Sequence, residues 1–111
     1  MPEKPALPRP VLRTVSKLGA DLALARRKRR LRLSDIADAT GLSVGTIQRL
    51  ERGNPSVAIG VLVSVMRVLG EGHRLESLLD TASDDTGLML TQSDLPKRVR
   101  RRKADLEPAG F

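Results

Sequence analysis

An all-α fold is what these 111 residues predict: a bundle of five helices, then a short strand and a basic tail. Three observations carry the prediction. Apolar residues recur at helical spacing through most of residues 15–79. Turn-forming residues punctuate that pattern at Gly41, at the run Gly53, Asn54, Pro55, Ser56, and at Gly70 and Gly72. Between them, residues 33–53 (L-S-D-I-A-D-A-T-G-L-S-V-G-T-I-Q-R-L-E-R-G) read as two short helices joined by a tight turn.

Residues 1–13 hold four prolines (Pro2, Pro5, Pro8, Pro10) with Lys4, Arg9 and Arg13, a composition that predicts a flexible N-terminal arm. Basic arms of this kind can enter a minor groove, but a solvated tail is their commoner fate. Residues 14–80 then form the folded domain. Its first helix is predicted over 15–30, with Leu18, Leu22 and Ala25 on one face, the second over 33–40 and the third over 44–52. The fourth starts near Val57 and runs to about Leu69, offering Leu62, Val65, Met66 and Leu69 to the core. Val57, Val61, Val63 and Val68 are left for other faces, an apolar excess that favours a subunit interface over a merely well-covered helix. Leu75, Leu78 and Leu79 give a fifth helix its buried stripe.

Within the helix pair each residue type has a physical reason. Two helices that cross closely need a small side chain between them, and Ala37 is small. Gly41 stands where the chain must reverse, in a left-handed conformation that a β-carbon disfavours. Ser43 can cap the next helix by accepting from the free amides near Gly45 or Thr46. Ile36, Leu42, Ile47 and Leu50 point inward, which leaves Val44, Gly45, Gln48, Arg49 and Arg52 on the opposite face. A unit built this way, a helix-turn-helix, presents its second helix to DNA.

These residues carry a resemblance. Residues 18–79 resemble the Xre-type, phage-repressor-like helix-turn-helix domain, through Arg26, the run A-D-A-T-G-L-S from Ala37, and R-L-E-R-G from Arg49. The resemblance implies a five-helix bundle, a partly buried ion pair between Arg26 and Glu51, and a third helix that enters the major groove. Gln48 and Arg49 would then read base edges, Val44 and Gly45 would make close contact, and Ser43, Thr46, Arg52 and Asn54 would hold phosphates. Two departures remove hydrogen-bonding groups. Leu33 replaces the glutamine usual at the start of the second helix, and Val44 and Gly45 occupy the first reading positions. More of the specificity then falls to Gln48, Arg49, a thymine methyl against Val44, and DNA shape.

Composition points the same way. Twenty Lys and Arg against thirteen Asp and Glu give a net charge of +7, which favours a polyanionic partner or an anionic surface. Six basic residues fall in 26–32 (Arg26, Arg27, Lys28, Arg29, Arg30, Arg32) and six in 97–103 (Lys97, Arg98, Arg100, Arg101, Arg102, Lys103). Residues 33–94 carry four basic and nine acidic groups, a net of −5, so the basic footprint is two clusters. The single aromatic residue, Phe111, argues against single-strand recognition by base stacking. With no cysteine and no long apolar run, a cytoplasmic, disulfide-free protein away from the membrane is expected.

Chemistry finds no foothold. His73 stands without a second ligand, so neither a metal nor a catalytic role is expected of it. Ser34, Ser43 and Thr46 have no adjacent base, and capping or phosphate contact explains them better than nucleophilic attack. No phosphate loop is present. The expectation is a non-enzyme with no cofactor and no small-molecule ligand.

Beyond residue 80 the pattern changes. Residues 81–95 form a connector in which 87–92 (G-L-M-L-T-Q) could be a strand, with Leu88 and Leu90 as its apolar residues. One strand cannot satisfy its own backbone, so it either pairs with its copy in a homodimer or lies across the domain. Residues 96–111 carry too many like charges to pack and predict a disordered tail. The combination of a G-L-x-L strand with an L-P-K-R-V-R tail resembles HipB-like antitoxins, which implies a homodimer that represses its own operon and holds a HipA-like kinase toxin inactive. A stand-alone or prophage repressor is the runner-up. From another class comes a toxin-binding interaction module with weak DNA binding.

Overall fold

The structure is a computed structural model that describes residues 6–80. The chain divides into two units after Leu78, and the five helices found among the described residues lie in the first. They are α1 (Arg9–Lys28), α2 (Leu33–Thr40), α3 (Val44–Glu51), α4 (Ile59–Val68) and α5 (Gly72–Glu76). The strand proposed around Leu88 and Leu90, most of the N-terminal prolines' context before Ala6, and the basic tail lie outside the described residues.

The first helix starts earlier than its sequence suggests. The arm expected over residues 1–13 is already helical from Arg9, because Pro10 falls in the first turn. The first amides of a helix have no partner within it, so proline there removes nothing and presets φ. Leu12 N–H donates to the Pro8 carbonyl at 3.1 Å and the Thr14 hydroxyl to the Pro10 carbonyl at 3.1 Å, so the prolines open the helix instead of breaking it.

The turn between α2 and α3 is set by side chains as much as by Gly41. Gly41 sits at φ 75° with its N–H bonded to the Ala37 carbonyl. The Thr40 hydroxyl donates to the Ile36 carbonyl at 2.7 Å and accepts from Leu42 N–H at 3.2 Å, bridging the end of one helix to the turn. At the other end of α2, the Asp35 carboxylate accepts from Arg32 N–H at 2.7 Å. That backbone hydrogen bond, more than the nearby Arg32 charge, holds the Asp35 carboxyl below the usual carboxylate range.

Leu22, Ile36, Ile47, Leu50, Val65 and Leu69 form the core, where α1 packs on α3, α2 on α3 and α4, and α3 on α4. Ile36 and Ile47 have no exposed surface, and each contributes about 1.5–3 kcal/mol by leaving water. Ala37 is half-buried against this core. A close approach lies where α1 meets the end of α3: a β-carbon on Gly19 would stand 2.6 Å from the carbonyls of Leu50 and Glu51, and one on Gly53 would stand 2.6 Å from Ser16 Cα.

Two expectations for the later helices are corrected. Of the four valines assigned to other faces of α4, Val57, Val61 and Val68 pack against the core and only Val63 is well exposed, joined by Ile59. The apolar excess is therefore smaller than counting residues suggests. The fifth helix ends at Glu76, so Leu78 and Leu79 lie past it and are exposed, at 69% and 84%. Helical spacing stops applying to them there, and Leu75 alone is half-buried.

Candidate nucleic-acid interface

Helix α3 has one face in the core, through Ile47 and Leu50, and one in solvent. Ser43 is its N-cap, with its hydroxyl oxygen accepting from Thr46 N–H at 3.1 Å. The Ser43 and Thr46 hydroxyls are 2.8 Å apart, and Arg49 Nη2 donates to Thr46 Oγ1 at 3.0 Å. Ser43, Thr46 and Arg49, three residues apart along the helix, thus form a continuous hydrogen-bonded string on its surface. It draws the Arg49 guanidinium back toward the helix start.

Gly45 lies beside this string. A β-carbon there would meet Arg49 Nη1 at 3.8 Å and Ser43 Oγ at 3.9 Å, ordinary contact distances, so glycine here leaves an open surface and is not demanded by packing. Val44, Gln48 and Arg52 follow at intervals of four, as an adjacent stripe. Val44 and Arg52 are exposed and Gln48 is half-buried. Asn54 Oδ1 accepts from Ser56 N–H at 2.8 Å, which fixes the side chain and leaves its amide N–H groups for other partners. Thr46, Arg49, Asn54 and Ser56 line a shared open cleft of about 240 Å³ floored by Val57 and Val61.

Arg26 and Glu51 hold α1 to the end of α3. Arg26 Nε and Nη2 reach Glu51 Oε2 and Oε1 at 2.8 and 3.0 Å, and the two side chains are only 13% and 9% exposed. A third nitrogen, Nη1, donates to the Leu31 carbonyl at 2.9 Å, so the same guanidinium also ties down the chain between α1 and α2. The hydrogen bonds to Glu51, and then its charge, raise Arg26 above the ordinary arginine value.

Sequence reasoning missed a second arginine of this kind. Arg29 Nε donates to the Leu69 carbonyl at 2.9 Å, Nη1 to the Ala25 carbonyl at 2.9 Å, and Nη2 approaches Glu71 at 3.3 Å. It therefore joins the end of α1 to the end of α4. Its spacing of three from Arg26 puts both on neighbouring positions of one helix surface, the only signal that the sequence offered. Arg32 lies 3.6 Å from Asp35 at the surface. Of the six charges in 26–32, only those of Arg27, Lys28 and Arg30 have no hydrogen-bonding or ionic partner on their side chains among the described residues.

A family model of the helix-turn-helix domain matches residues 17–79, more than half of the chain. The chain belongs to that family of DNA-binding domains. No curated protein and no solved structure gives a match. No helix among the described residues is long and apolar enough to cross a membrane.

Proposed function

We propose that this chain is a sequence-specific transcriptional repressor of the Xre type that binds operator DNA as a homodimer, with α3 in the major groove. The observation that carries the reading is the hydrogen-bonded string from Ser43 to Arg49 on the solvent face of a helix whose other face is fixed in the core. An α-helix with its side chains is about 10–12 Å across, which fits the roughly 12 Å width of the groove.

Arg49 reads a guanine edge and Gln48 an adenine or guanine edge, while Val44 meets a thymine methyl and Gly45 lets the backbone approach. Ser43, Thr46, Arg52 and Asn54 position phosphates. Holding Arg49 on Thr46 before DNA arrives lowers the entropy lost on binding. One such helix offers few base contacts, and a two-fold dimer doubles them over half-sites roughly 34 Å apart. The reading needs no cofactor and no catalysis.

The biological setting we favour is the antitoxin of a HipA-like kinase operon, supported by the resemblance of residues 87–100 to HipB-like antitoxins. In that setting 87–92 pairs with its copy through Leu88 and Leu90, and Leu90→Lys weakens the dimer in sedimentation without lowering the melting temperature of the bundle. Titration of the chain's own promoter across a salt series, against a scrambled duplex, tests the main reading. Preferential, salt-dependent binding to the promoter supports it. Equal affinity for both duplexes, with capture of a HipA-like kinase, would move the function to a protein-interaction module.

A further inference from the structure

Four described residues have a positive φ, and three of them are glycines: Gly41, Gly53 and Gly70, at 75°, 79° and 80°. The fourth is Arg30, at 57°. Its place in the chain repeats a motif with which two other helices, α3 and α4, end. After α1, Arg30 N–H donates to the Arg27 carbonyl at 2.9 Å and Leu31 N–H to the Arg26 carbonyl at 3.1 Å. After α3 the same two bonds run from Gly53 to Leu50 and from Asn54 to Arg49, and after α4 from Gly70 to Arg67 and from Glu71 to Met66. This double closure calls for a left-handed residue, for which glycine is the unstrained choice. Among the described residues, only the end of α1 puts a side chain there.

That side chain does nothing for the fold. The Arg30 side chain is exposed and makes no hydrogen bond or ion pair among the described residues, whereas the side chains of Arg26 and Arg29, near the same helix end, are committed internally. Arg32, closer to α2, has the Asp35 carboxylate 3.6 Å away to offset its charge. Arg27 and Lys28 are exposed too, but they sit in ordinary helical backbone where any residue fits. Arg30 alone is held at a structural cost.

Its location gives the cost a purpose. Arg30 stands three residues before Leu33, the first residue of α2. When the second helix of such a pair lies in the major groove, the first crosses the sugar-phosphate backbone. We propose that Arg30 is a phosphate contact, a cation placed on the α1–α2 loop to neutralise the DNA strand that passes the start of α2. The proposal rests on the DNA-binding reading above and adds to it a residue outside α3.

Full-length wild type, Arg30→Gly and Arg30→Lys are compared by thermal melting and by binding to a short fluorescent duplex of arbitrary sequence. The duplex titrations run between about 50 and 200 mM salt, and the slope of log K against log salt loses about 0.9 for each phosphate contact removed. Arg30→Gly raises the melting temperature by about 4–8 °C, as relief of a left-handed side chain does in a domain of this size. It also flattens the salt slope by about 0.9 per bound subunit. Arg30→Lys leaves both near wild type. A raised melting temperature with an unchanged slope overturns the proposal and leaves the DNA-binding reading intact. A melting temperature that does not rise overturns it as well, since the side chain is then held at no cost. Failure of the wild type itself to bind duplex DNA removes the proposal together with the reading beneath it.

Discussion

The end of α1 and the outer face of α3 are both rich in arginine, yet they use it in opposite directions. In residues 26–32, Arg26 and Arg29 turn into the structure, one onto Glu51 and the Leu31 carbonyl, the other onto the Leu69 and Ala25 carbonyls. On α3, Arg49 stays on the surface and bonds only to Thr46, three residues back. The same side chain is a cross-brace in one region and a preset surface donor in the other. A count of positive charge cannot separate these uses, because the guanidinium's five donors serve carbonyls and carboxylates as readily as phosphates.

The comparison can be broken most sharply at Arg26. Arg26→Ala strands a Glu51 carboxylate that is 9% exposed, and losing one partner of such a pair costs about 3–5 kcal/mol, read as a fall in the midpoint of urea unfolding. Arg49→Ala costs less than about 0.5 kcal/mol on the same unfolding curve, the usual range for surface sites. Equal destabilisation by the two variants would erase the distinction. Next in size is the packing that the Arg26 brace accompanies. Gly19→Ala places a β-carbon 2.6 Å from two α3 carbonyls, so the helices must part, at about 1–3 kcal/mol. Gly45→Ala, in helical backbone with nothing closer than 3.8 Å, stabilises by about 0.4–1 kcal/mol, so thermal melts of the two proteins move in opposite directions.

A smaller effect sharpens the α3 half. Thr46→Val removes the hydroxyl that both bonds the Ser43 hydroxyl and holds Arg49, but keeps the backbone N–H that Ser43 caps, so promoter affinity falls by less than in Arg49→Ala while stability stays close to wild type. A loss larger than that of Arg49→Ala would mean that Thr46 itself, and not its hold on Arg49, makes the main contact.

The smallest effect is in acid. Asp35 has a lowered folded-state pKa, so the stability that it contributes is present at neutral pH and is lost as pH falls through that folded value, below the ordinary carboxylate range. Melting temperature against pH is therefore flatter at its acid end in Asp35→Asn. A curve that parallels wild type throughout would assign that end to other carboxylates.

Local chemistry made α2 and α3 legible in the sequence. The span 33–40 matches α2, and Gly41 and Ser43 set the turn and cap from within a few residues. The start of α1 was misread because proline is both a breaker and a good first-turn residue, and only the helix that follows decides which. Leu78 and Leu79 were misread because the fifth helix ends before them. Gly19 and Arg29 gave little sign of their roles, since the atoms that they meet, on Leu50, Glu51 and Leu69, lie some thirty to forty residues away in sequence. Arg26 and Glu51 are also far apart, and their pairing entered through the family resemblance, not through spacing. The left-handed Arg30 left no mark in a run of like charges.

Binding of Arg49→Ala to promoter and scrambled duplexes at one fixed salt concentration tests the central claim most directly. The account predicts a loss of about 1–3 kcal/mol on the promoter, with preference relaxed at one base pair in each half-site, and a much smaller loss on the scrambled duplex. An equal loss on both would make Arg49 a phosphate contact and would contradict base reading from this face of α3.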